Sequence, residues 1–568
     1  MALEYVRMGS RVCIIGSGPT GIFTLQRLVQ SPAPLSITVY EAEMLAGKGT
    51  PYLPGANDPV MLSNIPSIEI PPMPMSLVDW LSSQSDDYLS RFSIVRSGIN
   101  EREFYPRLVL GDYFHTQFTA IVTDARNRGH EVDVCPGHFV RDIVLGIDQI
   151  RVSVDTNDGS FDAIFDHVVM ATGHNWPDKT EVRPGYFASP WPAAALKAAC
   201  HGRLGILGTS LSGIDALLTV AVSCGSFIHD EAGILQFRAA TGHENFLAVM
   251  MSRKGLLPEA DFYGPLPYSM PNVCTQEAVD QEIGRGPVGL LDRVFELFRR
   301  EIATADPDYA SEIALNSLTV DSFAEAYYGR RSATDPFAWA AANLAEVEHN
   351  ARERFTVPWR YAILITHEII ARAIPHLDTQ DLGRFNKSFK SVFIDDYATV
   401  PHLSIKRLLA LRNAGRLEIM RLGDDYSIDT DGLSRGARVR TRDAEEIFDS
   451  FIDATGQTAL SARDLPFPSL RRGTVKPAMT VESGTPLAIE ENDPIVRRTG
   501  GIAVDESYRP LDTGLLSNRL YCVAIPFLLH KHPFVQGITS AAELGETAAA
   551  AILEDLSKTA FPSILLTA

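Results

Sequence analysis

Cysteine is scarce in this sequence, with six residues among 568. No two of them have the Cys-x-x-Cys spacing, which excludes the local dithiol pair of many disulfide reductases. Most of them have apolar neighbours, so we predict buried free thiols of a reducing cytosol. They are Cys13, Cys135, Cys200, Cys224, Cys274 and Cys522.

Long hydrophobic runs are also missing. No apolar stretch reaches the roughly 18 residues that a membrane-spanning helix needs. The first apolar run is a short strand-like segment rather than the hydrophobic part of a signal peptide. We therefore expect a soluble, cytoplasmic protein with no membrane-bound part.

Positive charge is in the minority. The chain has 51 Lys and Arg against 70 Asp and Glu, a formal net charge of −19, and no basic tract offsets this excess. Nucleic acid is therefore not an expected partner. A metal is not expected either, because the one dense histidine motif, His530-Lys531-His532, has no partner cluster in the sequence.

A glycine-rich turn stands between a predicted strand and a predicted helix near the start of the chain. Residues 12–15 are apolar and mostly β-branched, and residues 22–29 have helical spacing. Between them lies Gly16-x-Gly18-x-x-Gly21, the order that a dinucleotide site requires. The first glycine permits the tight turn, the second lets a pyrophosphate approach, and the third lets helix and strand pack closely.

The next predicted strand supports this interpretation, because it ends in Glu41, about 20 residues past the glycines, where a carboxylate accepts hydrogen bonds from a ribose. The intervening loop residues Ser17, Pro19 and Thr20 are candidate contacts of the same cofactor. The alternative is a glycine turn in some other α/β protein, which strand, helix and Glu41 in register make less favoured.

A second signal of the same kind appears at Gly208-Thr209-Ser210-x-x-Gly213, where serine replaces the middle glycine. The strand that follows ends in Ser252-Arg253, so a cation stands where the first site has Glu41. Because Arg253 can pair with a 2′-phosphate, we predict NADPH rather than NADH. The alternative for Arg253 is a solvated loop charge.

Further small-residue motifs follow the predicted strands. Two strands end in Ala-Thr-Gly, with Thr172-Gly173 before the second glycine site and Thr455-Gly456 after it. Small residues there let the chain pass close to a bound nucleotide. Gln536-Gly537-Ile538 opens an alanine-rich helix, whose N-terminal dipole we expect to face a flavin ring.

With these motifs collected, the chain resembles two-dinucleotide-domain flavoproteins of the FAD-NAD(P)-binding group, relatives of class B and N-hydroxylating monooxygenases. The resemblance adds Gly49, Tyr52, Asn64 and Arg107 to the expected cofactor contacts. It implies FAD and NADPH as cofactors, and O2 activation as a C4a-(hydro)peroxyflavin. The substrate class it implies is a small polar amine or amino acid. Among characterised relatives, the chain is most similar in character to enzymes that oxidise the amine of aspartate toward nitrosuccinate.

The resemblance also implies the fold class, α/β with two Rossmann-like dinucleotide-binding domains and a mostly helical insertion. A chain of this length requires two or three domains. The predicted division gives residues 1–200 and 458–568 to the FAD-binding domain, 201–274 and 416–457 to the NADPH-binding domain, and 275–415 to the helical insertion on the substrate side.

Two other functions stay open: a flavin dehydrogenase or reductase that does not insert oxygen, and a nucleotide-binding protein without turnover. For the substrate, residues 359–412 supply several cations, of which Arg360, Lys387 and Arg407 are the candidates for binding a dicarboxylate. The commoner reading of each is a solvated surface charge. No catalytic residue and no oligomeric state is predicted. The cations of this segment named for the substrate are Arg360, Arg384, Lys387, Lys390, Lys406, Arg407 and Arg412.

Overall fold

The computed structural model describes residues 10–173, 179–199, 202–456, 460–471, 477–481, 496–511, 517–534 and 537–560. Within them, two separate parallel sheets carry the two glycine motifs, and a group of helices follows the second motif. This arrangement confirms the predicted fold class. Gln536 lies outside the described residues.

The first sheet has five parallel strands with the first glycine motif at its centre. Its central strand is almost fully buried, which explains the uninterrupted apolar sequence. Helices Pro19–Leu28, Arg107–Asn127 and Gly537–Ala560 belong to the same hydrophobic core. In spatial order the strands are Leu520–Cys522, His167–Met170, Arg11–Ile15, Ser36–Glu41 and Glu131–Pro136.

The second sheet has six strands, parallel except for the last at one edge. Helices Leu211–Cys224 and His402–Asn413 share its core. The last two strands at one edge precede residue 200, so this sheet takes in chain that the predicted division gave to the first domain. In order the strands are Leu417–Arg421, Leu247–Ser252, Arg203–Leu207, Ser450–Asp453, Tyr186–Phe187 and Glu181–Arg183.

Four small antiparallel sheets are attached to the two large ones. The three-stranded sheets are Phe139–Leu145 with Ile150–Thr156 and Gly159–Phe165, and Ser427–Asp429 with Ala437–Arg440 and Glu445–Phe448. The two-stranded sheets are Gly225–His229 with Leu235–Ala239, and Pro477–Val481 with Val496–Ile502. The short helices outside the insertion are Leu77–Ser83, Asp86–Arg91, Ala193–Leu196 and Pro468–Arg471.

The insertion is helical and has its own aromatic core. Phe298 contacts Phe323, Phe389 and Phe393 with ring centroids 5.2–5.4 Å apart. Two helices of the insertion, Pro336–Glu353 and His402–Asn413, instead contribute to the core of the second sheet. The helices are Gln276–Gly284, Leu290–Ala305, Pro307–Glu312, Phe323–Ser332, Pro336–Glu353, Pro358–Ala371, Thr379–Arg384, the π-helical turn Phe385–Phe389, Lys390–Tyr397 and His402–Asn413.

The prediction of buried free thiols is confirmed for Cys13, Cys274 and Cys522, whereas Cys135 is free but only partly buried. Cys200 lies outside the described residues. The prediction is wrong for Cys224, which is disulfide-bonded. Spacing along the sequence detects only local pairs, whereas a disulfide depends on the tertiary approach of two β-carbons. In the part of the chain that the structure describes, no helix is long and apolar enough to cross a membrane.

Candidate functional site

One cavity of about 450 Å³ lies at the carboxyl ends of both parallel sheets, where α/β folds bind nucleotides. Its wall contains residues from both glycine motifs and both Ala-Thr-Gly turns. The structure therefore brings together sequence signals that lie more than 500 residues apart. The predicted site residues in this wall are Gly16, Gly18, Pro19, Thr20, Glu41, Gly49, Tyr52, Asn64, Arg107, Thr172, Gly173, Ser210, Thr455, Gly456, Gly537 and Ile538.

The first glycine of each motif packs against an Ala-Thr-Gly turn. Gly16 has φ +100°, and a Cβ there would lie 2.3 Å from the Ala171 carbonyl oxygen. Gly208 has φ +125°, and a Cβ there would lie 2.6 Å from the Ala454 carbonyl oxygen. Both the backbone conformation and the close contact require glycine. Each glycine turn therefore packs directly against the backbone of one Ala-Thr-Gly turn.

The third glycines allow each helix to start close to its turn. A Cβ at Gly21 would lie 2.1 Å from the Gly16 carbonyl oxygen, and one at Gly213 would lie 2.3 Å from that of Gly208. The first helical turns therefore leave their unpartnered backbone N–H groups beside the glycine loops, which suits an anionic pyrophosphate.

Ser17 and Glu41 form a hydrogen-bonded unit under the cavity. Glu41 Oε2 accepts from the Ser17 backbone N–H at 3.0 Å and from its hydroxyl at 2.6 Å. Ser17 Oγ in turn accepts from the Gly47 N–H at 2.7 Å. Ser17 is fully buried and is absent from the cavity wall as described, so it orients the Glu41 carboxylate rather than lining the site.

An ion pair joins the two dinucleotide-binding regions. Arg107, the first residue of helix Arg107–Asn127, lies 2.7 Å through Nη2 from Asp215 Oδ2, and both side chains are nearly buried, at 13% and 8% exposed. Arg107 Nε also donates to the Leu62 carbonyl at 3.1 Å. Burial raises the pKa of Asp215 to about 6, with Arg107 opposing the rise. Asp215 is not a described wall residue but holds the wall residue Arg107. It was not predicted from the sequence, because its role depends on this tertiary partner.

The predicted 2′-phosphate region lies beside the second motif but outside the described cavity wall. Thr209 donates its hydroxyl to Ser252 Oγ at 3.1 Å, which ties the glycine loop to the end of the next strand. Arg253 is exposed. Its neighbour Lys254 has Nζ 3.2 Å from the centre of the Tyr328 ring, and burial lowers the pKa of this lysine to about 8. Lys254 was not predicted as a site residue from the sequence, although it follows Arg253 directly.

The helical insertion contributes an apolar part of the cavity wall through Ile394 and Ala398. None of the three predicted substrate cations is among the described wall residues. Arg360 is ion-paired with Glu259 at 3.2 Å. Arg407 donates to the Val60 carbonyl at 2.8 Å, and burial lowers its pKa to about 10. Lys387 is exposed.

Comparison with known proteins agrees with this architecture. Residues 13–175 match the model of the FAD-NAD(P)-binding family, and residues 275–397 match that of the YdhS-like middle domain. The chain is 43% identical over 550 residues to protein YdhS of Escherichia coli (strain K12), across 96% of this chain and 98% of that protein. The family match confirms FAD and a nicotinamide dinucleotide as cofactors.

Two solved structures are similar to this chain over nearly its whole length. The reduced form of ornithine hydroxylase PvdA from Pseudomonas aeruginosa is 14% identical with a TM-score of 0.49, over 96% of this chain and 100% of that chain. The ornithine N-hydroxylase KtzI of Kutzneria sp. 744 is 15% identical with a TM-score of 0.46, over 97% of this chain and 100% of that chain.

Proposed function

The chain belongs to the YdhS family, and from this premise we propose that it is an FAD-dependent, NADPH-consuming monooxygenase of a small polar amino acid. The observation that carries the proposal is the single cavity into which both glycine motifs open. A hydride donor and an acceptor bound at the two motifs would meet in this space. FAD, when bound, supplies the redox and oxygen chemistry.

The residues of the wall fit these two cofactors. Glu41, held by Ser17, is placed to accept hydrogen bonds from a ribose. The N-terminus of helix Gly537–Ala560 reaches the wall through Gly537 and Ile538, and its positive dipole end favours negative charge there. Arg253, with Lys254 beside it, is our candidate for binding the 2′-phosphate of NADPH.

Oxygenation is favoured over a reductase that passes electrons to a dithiol. Burial raises the pKa of the free thiols Cys274 and Cys522 to about 12, so they are protonated and poorly reactive. The disulfide-bonded Cys224 ends helix Leu211–Cys224, whose first residue lines the cavity. Thirteen residues of helix separate the two by about 20 Å. This disulfide is too distant for direct exchange with a ring in the cavity.

The wall on the insertion side also suits oxygen chemistry. The apolar wall residues include Ile394 and Ala398 of the insertion, together with Ile525, Pro526 and Leu529 from the segment after strand Leu520–Cys522. An apolar wall excludes water, which protects reactive oxygen intermediates from premature breakdown. This surface gives a specific reason to prefer oxygen insertion to simple electron transfer.

For the substrate we propose aspartate, oxidised at its amine. The sequence resemblance motivates this choice, as does the cationic character of residues 359–412. Excluding water from the site also favours a neutral amine, which is the form that attacks an electrophilic oxygen.

The test is NADPH consumption by the FAD-loaded protein under O2 with aspartate, asparagine, lysine and ornithine, followed by mass analysis of the products. We expect an oxygenated product from aspartate. Hydroxylation of lysine or ornithine without activity on aspartate would refute the substrate and keep the monooxygenase. NADPH oxidation that needs an added electron acceptor and yields no oxygenated product would support the dehydrogenase alternative.

A further inference from the structure

The cations of residues 359–412 differ in whether an acidic partner already neutralises them. Arg384 pairs with Asp292, Asp321 and Asp381. Lys406 pairs with Glu348 at 2.7 Å. Arg360 is paired with Glu259, as described above. A cation held in this way gains little from a substrate carboxylate, because its charge is already compensated.

Lys390 is a partly buried cation of this segment without such an acidic partner in the described residues. Among the residues that the structure describes, no hydrogen bond or ion pair involves its ammonium group, and the residue is only partly exposed. Burial alone lowers its pKa, with no nearby charge contributing. A partly desolvated ammonium group without a counter-ion is costly, and an anionic ligand would relieve that cost.

Lys390 is not itself among the described wall residues, but it lies on the side of its helix that reaches the wall. Lys390 begins helix Lys390–Tyr397, the cavity-wall residue Ile394 follows one turn later on the same side, and the wall residue Ala398 comes directly after the helix. The adjacent face of this helix packs on Phe534 through Phe393, at 5.2 Å between ring centroids. Phe534 lies three residues before Gly537, another wall residue.

The backbone that precedes this helix also indicates a functional role for it. Residues Phe385–Phe389 form a π-helical turn between Thr379–Arg384 and Lys390–Tyr397. Such turns cost stability, rotate the following helix face, and occur frequently at functional sites.

We propose that Lys390 binds a carboxylate of the substrate at the insertion side of the cofactor cavity and thereby selects small dicarboxylates. The inference rests on the proposed function in that it places the substrate in the same cavity. In this proposal Lys390, rather than Arg360, Lys387 or Arg407, binds the negative charge of the substrate. Loss of this ammonium group should remove one charge-assisted contact, which corresponds to about a ten- to hundredfold weaker binding.

The experiment measures binding without turnover. Aspartate and succinate are titrated separately into the oxidised FAD-loaded protein, and the dissociation constant is read from the change in flavin absorbance. Succinate has both carboxylates but no amine, so its binding does not depend on oxygenation. The variants are Lys390→Met, Lys390→Arg, Lys387→Met and, as a control for loss of an exposed lysine, Lys406→Met.

We expect both ligands to bind the unmodified protein, Lys390→Met to weaken both by about ten- to a hundredfold, and Lys390→Arg to recover part of the loss. Equal weakening in Lys387→Met or Lys406→Met, or no weakening in Lys390→Met, would overturn the inference. So would the absence of any dicarboxylate binding. Lys390-dependent binding without an oxygenated product would sustain this inference and refute the monooxygenase. Oxygenation of a neutral or cationic amine alone would overturn this inference and sustain the monooxygenase.

Discussion

Substitution of Asp215 by asparagine tests the buried contact between the two dinucleotide-binding regions. The carboxylate lies 2.7 Å from Arg107, yet burial raises its pKa from 3.8 to about 6. The folded state therefore holds a proton on Asp215 at pH values where the unfolded chain has released it. This group contributes stability that is fully present below pH 3.8 and is lost as the pH rises through about 6.

The size of the effect follows from that shift. About two pKa units correspond to about 3 kcal/mol in the free energy of unfolding, and roughly half of it falls between pH 5 and pH 7.5. Asparagine resembles the protonated carboxyl and does not titrate. The difference in unfolding free energy between Asp215→Asn and the unmodified protein should therefore move in favour of the variant by about 1.5 kcal/mol from pH 5 to pH 7.5.

The assay is chemical unfolding of both proteins at the two pH values. The unfolding free energy of the unmodified protein is subtracted from that of Asp215→Asn at each pH. This subtraction cancels the titration of the other buried carboxyl groups, which both proteins share. A difference that does not change with pH would refute the reasoning. A difference that moves in favour of the unmodified protein at higher pH would show that Arg107 outweighs burial and holds the carboxylate ionised.

Three further predictions concern the cofactor sites. Gly16→Ala should lower the free energy of unfolding by about 2–4 kcal/mol, measured by urea denaturation, because its Cβ would meet the Ala171 carbonyl oxygen at 2.3 Å and φ is +100°; Gly98→Ala, with nothing within 4 Å, should be nearly neutral. Glu41→Ala should weaken FAD retention, measured as flavin absorbance per protein after gel filtration; undiminished retention, or FMN as the released chromophore, would contradict the ribose role. Arg253→Ala should raise KM for NADPH about ten- to a hundredfold and leave that for NADH unchanged, whereas equal losses for both would make Arg253 structural.

The central strands and glycine turns of both sheets were predictable because the local sequence of each reflects its own burial and backbone conformation. Residues 12–15 are apolar because strand Arg11–Ile15 is buried on both faces, and the glycines follow where the backbone contacts demand them. Strands Glu181–Arg183 and Tyr186–Phe187 gave no such signal. They are two or three residues long, and the first of them is exposed throughout. Their place in the second sheet depends on pairing across the fold.

Roles that depend on a distant partner were beyond sequence reasoning. Ser17 stands in the glycine loop like a cofactor contact, but its hydroxyl is used by Glu41. Arg360 and Lys390 are both cations in a helical segment, and only the tertiary contacts distinguish the paired one from the unpaired one. The disulfide of Cys224 belongs to the same class, since local spacing gives no sign of it.

The most direct test of the monooxygenase assignment is a turnover under labelled oxygen. The FAD-loaded protein is given NADPH, aspartate and 18O2, and the product mass, the hydrogen peroxide released and the NADPH consumed are measured together. We predict a product that carries label from 18O2, with NADPH consumed in proportion to the product formed. Complete recovery of the electrons as hydrogen peroxide, with no labelled product from any amino acid of the panel, would contradict it.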